Sequence, residues 1–350
     1  MRSNSLVRLF LFMVVCTMSS VFGSEPSVNA STDPETGGKI VTATCGKTTI
    51  KIAPDFGCNL FSIVHDGTEL LGQAPSTKEI AGFHYGNPIL YPSPNRVRDS
   101  KFEFGGKEFQ FTPNDGKNFL HGIVHSAKWE SGSEASTKTD DSITVHFQLK
   151  FEPGTEHYKL FPFKHVLRYD VTVKDGAVKC SYTVDNRSGT ESIPFGFALH
   201  PWFLYQGKRS ETFLTVPAAN HMDLDESRPG ELLPSGKLSG VVGSLFDCLA
   251  GRSLADWVVD DVWYGMTADK PARIEFRDKQ ISIELVATGD FTHLVVYTPA
   301  DQPWFCVENQ TCSTDAHNLH SKGIGDPAHL QIVPKGGSKQ GSVEYRITKK

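Results

Sequence analysis

Arg168-Tyr169-Asp170-Val171-Thr172-Val173-Lys174, Asp175-Gly176, Ala177-Val178-Lys179-Cys180-Ser181-Tyr182-Thr183-Val184 reads as two alternating arms around a two-residue turn. Tyr169, Val171 and Val173 fall on one face of the first arm, and Val178, Cys180, Tyr182 and Val184 on one face of the second. An apolar period of two marks a half-buried strand, and Asp-Gly supplies the positive φ angles that a tight hairpin turn demands. Lys101 to Phe104, Gly105-Gly106 and Lys107 to Phe111 repeat the pattern with Phe102, Phe104, Phe109 and Phe111 as the apolar side chains.

Further strands are expected at Lys39 to Ala43, Thr48 to Ile52, Asn59 to His65, Ile143 to Phe151 and Phe213 to Val216. Others are expected at Arg273 to Phe276, Ile281 to Val286, His293 to Thr298 and Ser342 to Thr348. No long run has helical period. Short strands separated by turn residues predict an all-β fold, a large antiparallel sandwich or barrel. No composition break or fixed repeat divides residues 39–350, which read as a single domain. Ser76 to Asn87 and Asp225 to Asp261 read as irregular surface loops, where a rigid β scaffold often carries binding residues.

The amino end has the layout of an export signal: Arg2 and Arg8, the apolar run Leu9 to Val15, and Val21-Phe22-Gly23 before a mature start at Ser24. That run is about half the roughly 20 residues needed to span a bilayer, so no stable membrane insertion is expected after cleavage of residues 1–23. Residues 24–38, rich in Ser, Thr, Pro, Glu and Asn, read as a flexible linker. Export implies a periplasmic or secreted protein, and the sequon beside Glu308 favours a bacterial one.

With 350 residues, 39% of them hydrophobic, the chain can bury a substantial core. A formal charge of −5 with scattered Lys and Arg excludes a nucleic-acid footprint and suits a neutral polar ligand. The mature chain would keep six cysteines, for which buried free thiols are the default reading. Sequons stand at Asn29, Asn186 and Asn309, and a glycan on the last would obstruct its neighbour Glu308.

Four segments carry candidate chemistry. Asn95-Arg96-Val97 follows a two-proline turn, and Arg96 could clamp a ligand hydroxyl or form an ion pair with Asp99 or another acid. Leu120-His121-Gly122 ends a polar turn, and the glycine leaves room beside the imidazole. His200 lies in Phe197-Ala198-Leu199-His200-Pro201-Trp202-Phe203, enclosed by Trp202, Phe203 and Tyr205. Glu308 lies inside the strand-like Trp304-Phe305-Cys306-Val307-Glu308-Asn309-Gln310-Thr311, where a charge is costly unless paired or functional. With ordinary pKa values near 4.3 and 6.5, Glu308 would be ionised while His200 could hold a proton, a base and acid for neutral pH.

His121 with His125, and His317 with His320, are weak as metal ligands, since no HExxH pattern is present. G-x-S-x-G, the phosphate-binding loop and G-x-G-x-x-G are also missing. Paired carboxylates for glycoside hydrolysis remain conceivable through Asp260 or Asp261 with Glu308.

In order along the chain, these segments resemble the aldose 1-epimerase (galactose mutarotase) family. Asn95-Arg96-Val97 is similar to its Asn-Arg-Ile turn, Leu120-His121-Gly122 to its Leu-His-Gly, His200-Pro201-Trp202-Phe203 to its His-x-Tyr-Phe, and Phe305 to Glu308 with Gln310 to its glutamate strand. The family's sugar-binding aspartate, three positions before an aromatic, matches Asp260 before Trp263, with Asp261 as competitor. Leu199 and Pro201 depart from the polar neighbours usual around that histidine.

The resemblance implies a galactose mutarotase-like supersandwich and interconversion of the anomers of a free aldose, with no metal and no organic cofactor. Glu308 would take the C1 hydroxyl proton and His200 protonate the ring oxygen, while Arg96, His121, Asp260, Asn95 and Gln310 bind the sugar. Two other readings stay open: a hexose-6-phosphate epimerase of the same broad fold, and a non-catalytic carbohydrate-binding module. The sequence leaves the oligomeric state open.

Overall fold

A computed structural model describes residues 24–350; the expected export signal, residues 1–23, lies outside the described residues. Two large antiparallel sheets face each other. The nine-stranded sheet runs in spatial order Glu130–Lys138, Ile143–Phe151, His165–Lys174, Ala177–Asp185, Ser338–Lys349, Ile281–Ala287, Ala272–Phe276, Thr212–Thr215, Arg252–Ser253. The eight-stranded sheet runs Pro234–Gly240, Asn220–Leu224, Asp260–Tyr264, His293–Tyr297, Trp304–Gln310, Ala198–Leu199, Ile89–Leu90, with Trp202–Leu204 also beside Trp304–Gln310. Aromatic pairs tie the two together: Tyr182 stacks on Phe197 at 4.2 Å, and Phe203 meets Tyr345 at 6.0 Å. The resulting architecture is the all-β antiparallel sandwich that the alternation predicts.

Both hairpins form as read. Lys174 pairs with Ala177 across Asp175-Gly176, and Phe102 pairs with Phe109 and stacks on it at 5.0 Å. Tyr169, Val171, Val173, Val178, Cys180, Tyr182 and Val184 are all buried in the main core, so the period of two reports the face that meets the opposite sheet.

The linker expectation for residues 24–38 is corrected. Ser24–Thr32 is a strand antiparallel to Lys39–Gly46, at the edge of a five-stranded sheet. Ladder hydrogen bonds come from the backbone and need no apolar side chains, and a polar edge strand discourages pairing with other molecules. The connecting turn is held by Asp33, whose carboxylate accepts hydrogen bonds from Thr36 and Thr77. Within Asp225 to Asp261, expected as irregular, Pro234–Gly240 is likewise an edge strand. Its Ser and Gly content hides it from a hydrophobicity pattern.

All six described cysteines are buried and free. Asn309 and Thr311 are buried, so that sequon is sealed inside the fold, and the Asn186 amide donates to backbone carbonyls of Glu191 and Pro334.

Candidate active site

Strand register brings His200 to Glu308. Ala198 pairs with Gln310 and Trp202 with Cys306, so position 200 falls level with position 308 between two short pieces of ladder. Pro201 has no N–H to continue the pairing, and the His200 amide turns instead to the Pro88 carbonyl at 3.1 Å. The side chains meet with His200 Nε2 3.3 Å from Glu308 Oε1. Along Trp304–Gln310 the alternation divides the labour: Phe305 packs on Phe203 and Phe276 in the core, while Trp304 and Glu308 face a cavity.

That cavity has a volume of about 420 Å³ and contains Asn95, Arg96, His121, His200, Asp260 and Glu308 in its wall. Six of the seven expected site residues therefore converge. The seventh, Gln310, lies behind Glu308 and donates from Nε2 to Oε2 at 3.2 Å, a positioning contact.

Arg96 and His121 arrive together because Arg96–Val97 pairs with Phe119–Leu120, and the His121 amide donates to the Asn95 carbonyl at 2.9 Å. Asn95 and His121 have positive φ, at 55° and 68°, a strained backbone of the sort found where side-chain aim matters. Gly122 does not leave space beside the histidine, as expected from sequence. A Cβ there would stand 2.3 Å from the Tyr91 carbonyl oxygen, so glycine permits two chain segments to touch. Arg96 Nε donates to Asp115 at 2.7 Å, with Asp99 bound elsewhere to Arg228, and Arg96 NH1 donates to Asn95 Oδ1 at 3.2 Å.

The Asp260 and Asp261 alternatives separate by strand alternation. Asp260 faces the cavity, and Asp261 accepts from His221 Nε2 at 2.9 Å. Of the aromatics expected around His200, Trp202 alone stacks on it, 4.9 Å away with planes 14° apart; Phe203 and Tyr205 pack on Phe305.

Burial governs the charges. Glu308 is 2% exposed and His200 4%. Loss of water pushes the Glu308 carboxyl well above the usual carboxylate range, helped by the negative Asp260, and pushes the His200 imidazole well below its ordinary value. Desolvation first, and then His200 and Arg96, drives His121 down too, while burial raises Asp260. Both directions run against the ionised Glu308 and protonated His200 expected from ordinary pKa values. Burial favours the uncharged form of each group, a protonated carboxyl and an imidazole with a single N–H. Nδ1 of His121 and of His200 are buried without a protein partner.

Sequence reasoning missed Phe83, His84 and Tyr85, Tyr297, Gln302 and Trp304, which complete the wall. An aromatic run in the otherwise polar Ser76 to Asn87 loop was the available signal for the first three. For Trp304 it was the even spacing from Glu308, which places both on one strand face.

Fold and site together define the class: an antiparallel β-sandwich with a buried carboxyl and imidazole in contact in the wall of a polar and aromatic cavity. The family model for aldose 1-epimerase matches residues 39–346, and the chain belongs to that family. Among solved structures it is similar to a galactose mutarotase-like protein from Clostridium acetobutylicum, with TM-score 0.80 and 19% identity over 93% of this chain and 99% of that one. It is also similar to galactose 1-epimerase from Lactobacillus acidophilus, with TM-score 0.73 and 14% identity over 93% and 99%. Identities this low speak to fold alone. Over 116 residues the chain is 30% identical to the uncharacterized protein YphB of Escherichia coli K12, covering 33% of this chain and 35% of that relative.

Proposed function

We propose that the chain is an aldose 1-epimerase in activity as well as in family, interconverting the α and β anomers of a free aldose. The observation that carries this reading is the 3.3 Å contact between two buried groups, Glu308 and His200, beside Arg96, His121 and Asp260 in one cavity wall; on this reading the pair holds one ionisable proton between its members. With a sugar bound, that proton crosses to His200. Glu308 then takes the C1 hydroxyl proton as His200 protonates the ring oxygen, and the C1–O5 bond breaks to give the open aldehyde. Rotation about C1–C2 and reversal of the transfers closes the other anomer. Arg96 and His121 hydrogen-bond sugar oxygens that gain charge during opening, and Asp260 and Asn95 hold further hydroxyls.

A phosphorylated hexose fits less well. Arg96 is the lone Lys or Arg in the described wall, its Nε is committed to Asp115, and Asp260 and Glu308 face the same space. The expected export of the chain also favours free sugars over sugar phosphates.

Polarimetry on freshly dissolved α-glucose and α-galactose tests the proposal. The wild type should accelerate mutarotation, and Glu308→Gln and His200→Asn should each lose about 10²–10⁴-fold while staying folded. Sugar binding without acceleration would instead identify a binding module.

A further inference from the structure

Arg96 enters the cavity from a stretch of chain with little regular structure. Arg96–Val97 is a two-residue strand, and Asn95, Asp99 and Ser100 around it all have positive φ, at 55°, 52° and 58°. Backbone of that kind persists only where its surroundings over-determine it. Asp115 holds the Arg96 side chain at Nε. The backbone of the turn is held by Asp315.

Asp315 grips the turn on both sides of Val97. Its N–H donates to the Arg96 carbonyl at 2.8 Å, and its carboxylate accepts from the Arg98 N–H at 2.9 Å and from Arg98 Nε at 3.2 Å. Asn318 donates to the same carboxylate at 2.7 Å. The Asp315 side chain is wholly buried. An aspartate ahead of a helix ordinarily caps it, but this carboxylate makes no capping bond to Ala316–Ser321 and is turned to Arg98 instead. Asp315 also has a positive φ, at 56°.

The same segment begins at the proton-transfer pair. Asp315 follows Glu308 by seven residues, and every residue from Phe305 to His317 is buried. The Thr311 N–H donates to the Phe197 carbonyl at 2.9 Å and the Ser313 N–H to the Ala328 carbonyl at 3.0 Å, which leaves the run little freedom. Glu308 and the grip on Arg96 therefore belong to one rigid piece of chain.

We propose that Asp315 is a positioning residue for the reaction, fixing the Arg96 guanidinium relative to Glu308 so that a sugar oxygen at Arg96 and the C1 hydroxyl at Glu308 are presented together. The role rests on the epimerase reading above, which it deepens. Asp315 stands behind the cavity wall and touches no sugar.

Mutarotation kinetics for Asp315→Asn and Asn318→Ala, each made in the wild type and in Arg96→Met, test it, with urea unfolding to confirm that each variant is folded. Asp315→Asn keeps the side-chain size and the backbone N–H, and Asn318→Ala removes one bond to the carboxylate from a partly exposed position. Asp315→Asn should lower kcat/KM about threefold to tenfold, the size of one hydrogen bond, and Asn318→Ala about twofold to threefold. In Arg96→Met neither should lower kcat/KM further, because the group they position is gone. Losses of equal size in both backgrounds, or no loss in the wild type, overturn the role; should Asp315→Asn fail to fold, the Asn318→Ala cycle decides by the same criterion. If no aldose is mutarotated the epimerase reading fails, and the Arg96 Nε–H resonance, identified by its loss in Arg96→Met, still decides the grip. A signal unmoved by both variants overturns it, and one shifted or broadened by either upholds it.

Discussion

Replacing His165 by Gln should change the acid stability of the protein by an amount set by one buried ring. His165 donates from Nδ1 to the Phe163 carbonyl at 2.7 Å, and its Nε2 accepts from the Tyr91 hydroxyl, also at 2.7 Å. Both nitrogens are used, and the Phe163 carbonyl fixes a proton on Nδ1 of the neutral imidazole. Phe151 stacks on the ring at 4.2 Å, Phe161 and Tyr91 close around it, and His157 is the nearest titratable neighbour that opposes a positive charge. Burial in this setting pushes His165 down to about 4. In the unfolded chain it returns to about 6.5.

Between those values the unfolded chain binds more protons than the folded one, so stability falls as pH falls. The full contribution is present above about pH 6.5 and is lost progressively down to about pH 4. The loss is about 2 kcal/mol at pH 5 and about 3 kcal/mol at pH 4 for this side chain, out of a total of about 5–15 kcal/mol for a typical domain. Urea unfolding of wild type and His165→Gln at pH 7, 6 and 5 isolates it, because other titrating groups cancel in the difference. The variant should be less stable at pH 7 through lost packing, and the gap should close by about 2 kcal/mol at pH 5. A gap that stays constant from pH 7 to pH 5 would show that His165 is not held neutral, and would refute the reasoning.

Burial of His200 predicts the acid side of the activity profile: kcat/KM for mutarotation should not fall as pH is lowered from about 6.5 to about 5, because the imidazole is pushed down to about 3 and takes a further proton only well below that range. A fall of about tenfold per pH unit over that interval would mean that the imidazole titrates near its ordinary value. Asp260→Asn should raise KM for free aldoses about tenfold or more, whereas Asp261→Asn should leave KM within about twofold, since Asp261 is turned to His221. Glu308→Gln should unfold at higher urea than wild type at pH 8, because a carboxyl raised by burial costs stability at any pH above its unfolded value; equal midpoints at pH 8 would count against that cost.

The legible part of the fold was the part whose side chains alternate against the core. Asp175-Gly176 and Gly105-Gly106 declared their hairpins, and Phe305 and Val307 fixed which face of the last central strand points inward, and so by parity the face on which Glu308 stands. Edge strands did not declare themselves. Ser24–Thr32 and Pro234–Gly240 are held by backbone hydrogen bonds with few apolar contacts, and composition reads such strands as loops. The converging residues were readable one by one, but two facts depend on three-dimensional surroundings. The direction of the Glu308 and His200 shifts comes from burial that no local motif encodes, and Asp260 faces the cavity only because its strand pairs with His293–Tyr297 in one register.

That register also explains why this sheet can afford two ionisable groups in its interior. Each alone would face a desolvation cost of several kcal/mol. Set level with each other on adjacent ladder pieces, Glu308 and His200 can pass one proton between neutral and ion-paired forms, so the folded protein need carry no net charge at the floor. Cys306, buried and with its thiol pushed up by the same desolvation, stays protonated one face position away and adds none. On the epimerase reading proposed above, the ion-paired form is the one that suits an opening hemiacetal. On that reading, the same burial that raises the cost of charge strengthens the electrostatic interactions available to an opening ring.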